Sequence, residues 1–341
     1  MRERIAMSEQ IREYRALSRE AVADILLQGN RVLILFHVHP DGDASGSAFA
    51  LRAFLESAGA EAWCACADEL PDRLTFLAGG QESVLPDAIP AGFDPDLIVT
   101  VDTASPSQMG ALYEVYGERV DLMIDHHGKG TPYADHCIEA DSSACGEVLY
   151  EILKIAAQKK NIELSGRVCE LLYTAISSDT GCFRYSNTTP ATHRSAAELL
   201  GAGFSPADIN HRLFGIKTLK QMQVEHAGFE RMNLHCGGRV AIITFPYDLK
   251  KQCGAEDEDL ETLIDVARCI KGVEIAAVIK QPTADSRFRV SLRSSSDLDV
   301  SEIAELYGGG GHKKAAGCAL QADSILSAEM TVVLAVEQRL Q

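Results

Sequence analysis

Three apolar runs, Val32–Phe36, Leu97–Val101 and Leu122–Ile124, each break off into acidic or histidine residues, and this restricts the fold more than any other feature. Continuous Val/Ile/Leu runs suit strands buried on both faces. Helical patterns separate them, notably 45–58 after the first, and that alternation predicts a parallel sheet in an α/β domain. Ligands of such sheets bind beyond the carboxyl ends of the strands. His37, Asp102 and Asp125 each follow a predicted strand directly, so separate segments deliver polar groups to one sheet edge.

Helical spacing is also read over 8–28, ending at Gly29-Asn30, and over 143–159, 165–178, 190–202, 205–214 and 217–232. The last of these is expected to connect two domains. Strand-like runs at 240–245, 274–279 and 288–292 flank a predicted helix at 256–270, which gives a second, smaller α/β domain from about 236 to the end. The acidic run Glu256–Asp259 reads as a solvated helix N-terminus.

The 341 residues carry 32 basic and 49 acidic side chains, a net charge of −17. So acidic a surface argues against long non-specific contact with a nucleic-acid backbone, but not against a short anion in a locally positive cleft. Ten cysteines without a Cys-x-x-Cys pair, with Cys64 and Cys66 on one predicted strand, read as free thiols in a reducing compartment. The charged N-terminus reads as a helix, not a signal peptide, and no apolar run nears the about 20 residues of a membrane span. A soluble cytoplasmic protein is expected.

Asp41 and Asp43 are two apart, so in an extended loop their carboxylates point the same way, and His37 lies four residues earlier. Mixed imidazole and carboxylate donors suit Mn²⁺, Fe²⁺, Co²⁺ or Zn²⁺ better than Mg²⁺. A calcium loop starting at Asp41 would need Glu at position 52, where Arg52 stands. Ser45 is expected to cap helix 45–58, which explains part of the motif but neither His37 nor the two aspartates. In Asp125-His126-His127, adjacent side chains leave a strand end in different directions. One histidine is expected to ligate and the other to face substrate, with Asp125 orienting an imidazole. Asp102 and Asp179, each taken singly, fit a helix N-cap as well as a ligand. Cys182 reads as packing.

His-x-x-Pro-Asp-x-Asp (37–43), Val-Asp-Thr (101–103), Asp-His-His (125–127) and Asp-Thr-Gly (179–181) resemble, in order, the four motifs of the DHH phosphoesterase superfamily. Phe288–Arg293 followed by Gly308-Gly-Gly-Gly-His312 resembles its associated C-terminal domain. The resemblance implies a catalytic domain over 1–215, a helical linker over 216–235 and a substrate-binding domain over 236–341. It also implies two divalent cations, Mn²⁺ foremost. His37 and Asp41 would bind one metal, Asp102 would bridge, and Asp43, His126 and Asp179 would complete the second site. His127 would contact the phosphate, with Asp125 behind it.

The segment Ser178–Thr188, with Arg184 and Asn187, looks like the NrnA group within that superfamily, cytoplasmic nano-RNases that also dephosphorylate adenosine 3′,5′-bisphosphate (pAp). The basic motif of family II pyrophosphatases is not found, and the extra segments of RecJ-type and membrane-bound relatives have no room. A soluble relative acting on pApA, and a non-catalytic RNA- or nucleotide-binding relative, stay as alternatives. The expected reaction is in-line hydrolysis without a covalent intermediate.

Gly309, Gly310 and Gly311 leading into His312 read as an anion-binding nest at a helix start, with Lys313 and Lys314 behind; a flexible turn is the plain alternative. Arg287, Arg289 and Arg293 fall on one face of a strand, near Lys280 and with only Asp285 opposing, and Arg293 is the foremost candidate there. Arg184, Arg293 and the Gly-His segment are thus the expected substrate contacts. Short RNA oligonucleotides and pAp are the expected partners, with a terminal phosphate gripped by the second domain. A membrane is not expected, and a homodimer is common among look-alikes.

Overall fold

The computed structural model describes residues 13–81, 83–284 and 287–340. The chain forms two compact units that divide between Gly215 and Ile216.

In the first unit, α1 (Arg19–Leu26) precedes β1 (Arg31–Leu35), α2 (Gly42–Ser57), β2 (Glu61–Ala65), β3 (Leu97–Val101), α3 (Leu112–Tyr116), β4 (Leu122–Asp125) and β5 (Asp135–Ile138). Then follow α4 (Cys145–Lys160), α5 (Gly166–Asp179), α6 (Pro190–Leu200) and α7 (Pro206–Asn210). The strands are all parallel, in the order β2-β1-β3-β4-β5. Alternate residues explain the unbroken apolar runs. Val32, Ile34, Leu97, Val99, Leu122 and Ile124 enter one core with α2, α4 and α5, while Leu33, Leu35, Ile98 and Met123 enter another with Met109 and Leu112. Chain order reverses between β1 and β3, and the crevice beyond their carboxyl ends is where an open α/β sheet takes ligands.

Two local expectations need correction here. Residues 8–12 of the predicted first helix lie outside the described residues, and 13–18 are not helical: Ala16 bridges His136 and the Leu17 N–H bonds the His136 carbonyl at 2.7 Å. The segment covers the open edge of β5, and that tertiary partner overrides the local spacing. Helix α2 begins a turn early, capped by Asp41, whose Oδ1 accepts the Asp43 and Ala44 amides. Ser45 therefore lies inside the helix, fully buried, and caps nothing.

The second unit comprises α8 (Leu219–Glu230), β6 (Met232–His235), β7 (Val240–Phe245), α9 (Tyr247–Cys253), α10 (Leu263–Arg268), β8 (Ile275–Lys280), β9 (Arg287–Ser294), α11 (Val300–Glu305), β10 (Gly310–His312), β11 (Ala315–Gln321) and α12 (Ile325–Glu337). Its mixed sheet runs β10-β11-β9-β8-β7-β6, with β7 and β8 parallel and the other pairs antiparallel. Helix α8, expected as a connector, buries Val224 in this unit's core beside Ile243 and Leu263. The predicted helix 256–270 is two short pieces, a turn at Glu258–Leu260 and α10. Its acidic start is not merely solvated, since Asp257 pairs with Lys250 and with Arg289.

The glycine run does not start a helix. Gly310–His312 is a strand of a hairpin with β11, and a Cβ on Gly309 or Gly311 would lie 2.1 Å from the Gly317 carbonyl or 2.5 Å from that of Ala315. Close approach of two strands requires those glycines. Lys314 turns to the Ser296 carbonyl. Among the described residues no helix is long and apolar enough to cross a membrane.

Candidate metal centre

The end of β1, the end of β3, the end of β4, the first turn of α2 and the last residue of α5 converge in the first unit. His37 Nδ1 faces the Val38 carbonyl at 2.8 Å; a carbonyl only accepts, so Nδ1 carries the proton and Nε2 is presented to the site. There Nε2 lies 3.5 Å from Asp102 Oδ2 and 3.7 Å from Asp41 Oδ1. His126 repeats the device. Its Nδ1–H donates to the Ser142 carbonyl at 3.2 Å, and its Nε2 lies 3.6 Å from Asp102 Oδ1, 3.7 Å from Asp43 Oδ2 and 3.8 Å from Asp179 Oδ2. The ligating atoms of His37, Asp41 and Asp102, and separately those of Asp43, His126 and Asp179, lie within 4.8 Å of one another.

Asp102 stands between the two groups. Its backbone is left-handed, φ 51°, which turns the carboxylate off β3 into the crevice while its N–H still bonds the Ile124 carbonyl. It caps no helix, and Asp179 ends α5 instead of beginning a helix, so neither has the capping role that sequence left open.

Asp43 is held from another helix. Its oxygens accept the Cys145 and Gly146 amides at 2.7 and 2.9 Å, and Ser47 Oγ–H at 3.1 Å. Asp43 and Asp179 come together because α2 and α5 pack closely at glycines: a Cβ on Gly42 would sit 2.5 Å from Ser178 Oγ, and one on Gly46 2.8 Å from the Leu171 carbonyl.

His127 is oriented by Asp125, whose Oδ1 accepts its Nδ1–H at 2.7 Å and also the His126 and His127 amides. Nδ1 being committed, contact with a ligand falls to Nε2. Burial disfavours the His127 cation, but Asp125 and the nearby Asp102 outweigh it and raise its pKa to about 9. For His37 likewise, hydrogen bonds to Asp102 and Asp41 outweigh burial and raise the pKa well above the usual value. Burial and the neighbouring carboxylates push Asp43 well up. Burial raises Asp179 to about 6, with Asp41 and Asp102 adding to it against His126.

These residues fit divalent cations. Asp102 Oδ1 is buried without a hydrogen-bond partner, and four carboxylates share one small space with three imidazoles. Buried carboxylates this close need a counter-charge.

Arg184 follows Asp179 on the same turn. Its Nε–H donates to the Gly181 carbonyl at 2.6 Å, and its guanidinium lies over the rings of Tyr185 and Phe214. Asn187, part of the same motif but given no role by sequence reasoning, donates to Asp179. In the second unit Arg287, Arg289 and Arg293 do share one face of β9, with Phe288, Val290 and Leu292 on the core face; Asp285 lies outside the described residues. His312 pairs with Ala315, which pairs with Arg293, so His312 and Arg293 sit on that same face with a small residue between them.

Residues 31–176 match the N-terminal domain of the DHH family, and residues 238–339 match the DHHA1 domain. The chain is 30% identical over 312 residues to the bifunctional oligoribonuclease and PAP phosphatase NrnA of Thermus thermophilus, covering 91% of this chain and 90% of that protein. It is 26% identical over 307 residues to the Bacillus subtilis protein of the same name, covering 87% and 92%. Among solved structures, an exopolyphosphatase-related protein from Bacteroides fragilis shares the fold with a TM-score of 0.83 at 20% identity, over 94% of this chain and 96% of the other. RecJ of Thermus thermophilus in complex with Mn²⁺ superimposes with a TM-score of 0.52 at 14% identity, over 94% of this chain and 54% of RecJ. Two domain matches in the family's order, and a relative 30% identical across nine-tenths of both chains, establish that this chain belongs to the DHH family of phosphoesterases.

Proposed function

We propose that the protein hydrolyses short oligoribonucleotides to nucleoside monophosphates and removes the 3′-phosphate of pAp, as a cytoplasmic enzyme using Mn²⁺. The observation that carries this reading is Asp102, a buried carboxylate with one oxygen toward His37 and the other toward His126. His37, Asp41 and Asp102 would hold one cation, and Asp43, His126 and Asp179, with Asp102 shared, the other. Such a pair, when bound, lowers the pKa of water and neutralises charge on phosphoryl oxygens.

The protein's own residues do the rest. The Val38 and Ser142 carbonyls fix the tautomers of His37 and His126, and Asp125 aims His127 Nε2 at the phosphate. Arg184, its guanidinium over the Tyr185 and Phe214 rings and its Nε–H on the Gly181 carbonyl, would offer its remaining N–H groups to a phosphate. In the second unit Arg293 and His312, on one face of the sheet, would receive a terminal phosphate. The relatives named NrnA support the choice of substrates.

The test is a Mn²⁺-supplemented panel of pAp, pApA, a dinucleotide RNA, a longer RNA and pyrophosphate. Release of phosphate from pAp and of mononucleotide from the dinucleotide, both abolished by EDTA and by Asp102→Ala, is expected. Cleavage of pyrophosphate alone, or of none, would contradict the proposal.

A further inference from the structure

Asn187 is a polar side chain that ties together two separate segments of the metal centre. Its Nδ2 donates to the Ser143 carbonyl at 2.9 Å, to the Asp179 carbonyl at 3.1 Å and to Asp179 Oδ2 at 3.3 Å. Three oxygen acceptors around one nitrogen settle which end of the amide points there. The neighbouring Ser142 carbonyl is the acceptor that orients His126. One amide thus braces a carboxylate at the end of α5 and the turn that sets an imidazole after β4.

The surroundings are built to hold it there. Gly181, Cys182 and Phe183 are consecutively left-handed, with φ of 55°, 60° and 60°. Two non-glycine residues in that region are costly and persist only where the surroundings over-determine them. Here Phe183 N–H donates to Thr180 Oγ1, Cys182 N–H to the Ser177 carbonyl, and Arg184 and Tyr185 N–H to the Thr180 carbonyl. The result is a sharp reversal that brings Asn187 back onto Asp179, eight positions earlier. From the other side the buried Glu147 accepts from both Ser143 N–H and Ser143 Oγ–H, and from Thr192 Oγ1–H, so the Ser143 carbonyl is a fixed acceptor. Asp179 needs such a brace. It is the last residue of α5, where the helix dipole repels a carboxylate, and it is more exposed than Asp43 or Asp102.

We propose that Asn187 is a positioning residue for one of the two cations, the one assigned to Asp43, His126 and Asp179, and that the His37–Asp41–Asp102 site does not depend on it. The inference rests on the two-cation reading above. A residue that merely stabilised the loop would affect both sites or neither.

Calorimetric Mn²⁺ titration of the full chain tests this, with His37→Ala and Asp179→Ala assigning the two binding steps in the otherwise unaltered protein. Asn187→Ala, and Asn187→Leu which keeps volume but removes the donor, are expected to weaken the Asp179-dependent step about 10- to 100-fold and leave the His37-dependent step within about twofold. Equal weakening of both steps, with a lowered metal-free unfolding midpoint in both variants, would overturn the proposal, as would two unchanged steps. Failure of the protein with Asn187 intact to bind Mn²⁺ would instead sink the metal-centre reading, and this inference with it.

Discussion

Asp43 caps a helix other than its own: its Oδ2 accepts the Cys145 amide at 2.7 Å, where Ala144 at the N-cap of α4 offers no side-chain acceptor. The carboxylate is thereby fixed on the positive end of α4 while surrounded by Asp41, Asp102 and Asp179. Its pKa is held well up by burial first and those neighbours second, so its charge opposes folding without metal. Asn carries no charge and keeps an acceptor for the cap. Asp43→Asn is expected to raise the metal-free unfolding midpoint at pH 7 and to remove the stabilisation that Mn²⁺ gives the unaltered protein. A lowered metal-free midpoint would show that the charge itself is stabilising.

The same cluster sets a pH dependence. Asp179, at about 6, and His127, at about 9, both have folded-state pKa values above their unfolded ones. The folded protein therefore binds the extra protons, and the stability each group contributes is lost as pH rises, from about 4 to about 6 for Asp179 and from about 6.5 to about 9 for His127. Asp125, depressed because the His127 hydrogen bond outweighs burial, acts in the opposite sense only at lower pH. Thermal unfolding of EDTA-treated protein across pH 4 to 9 should show a falling midpoint, and saturating Mn²⁺ should flatten it. A midpoint rising with pH in the metal-free protein would contradict the assignment.

Packing of α2 on α5 carries its own prediction. Gly46→Ala puts a methyl 2.8 Å from the Leu171 carbonyl, which the backbone of α5 cannot avoid without moving. Overpacking of this kind costs about 1–3 kcal/mol. Since Asp43 and Asp179 ride on these two helices, Mn²⁺ affinity should fall along with the denaturation midpoint. Wild-type affinity in a destabilised variant would show that the helix spacing does not set the site.

Much of the site was legible because strand ends are. The runs at 97–101 and 122–124 could be located by their apolarity alone, and the residues after them had to emerge at one edge. What was not legible depended on partners distant in sequence. Residues 13–18 have helical spacing, yet His136 engages them as a strand. Asp41 and Ser45 are both good caps, and only the packing of α2 decides that Asp41 begins it. The glycine run reads as a nest at a helix start or a flexible turn, and pairing with the small residues Ala315, Ala316 and Gly317 at the start of β11 makes it a hairpin strand instead. Asn187 was legible only as part of the Ser178–Thr188 resemblance, which gave it no role.

Substrate holding can be separated from chemistry. Arg293→Ala removes a charge-assisted contact of about 1.5–3 kcal/mol, so KM for pAp should rise about 10- to 100-fold with kcat little altered. An unchanged KM would remove Arg293 from the substrate path.

Chain length is a further test of the same contacts. The net charge of −17 leaves little attraction for a long backbone, and kcat/KM should favour a dinucleotide over an about 20-mer. Equal or better activity on the longer RNA would contradict a short-substrate enzyme.

The central claim is the pair of cations beside Asp102, and anomalous diffraction from a Mn²⁺-soaked crystal tests it most directly. Two peaks are predicted, one among His37, Asp41 and Asp102 and the other among Asp43, His126 and Asp179, with Asp102 reaching both. A single peak away from Asp102, or none, would contradict the account.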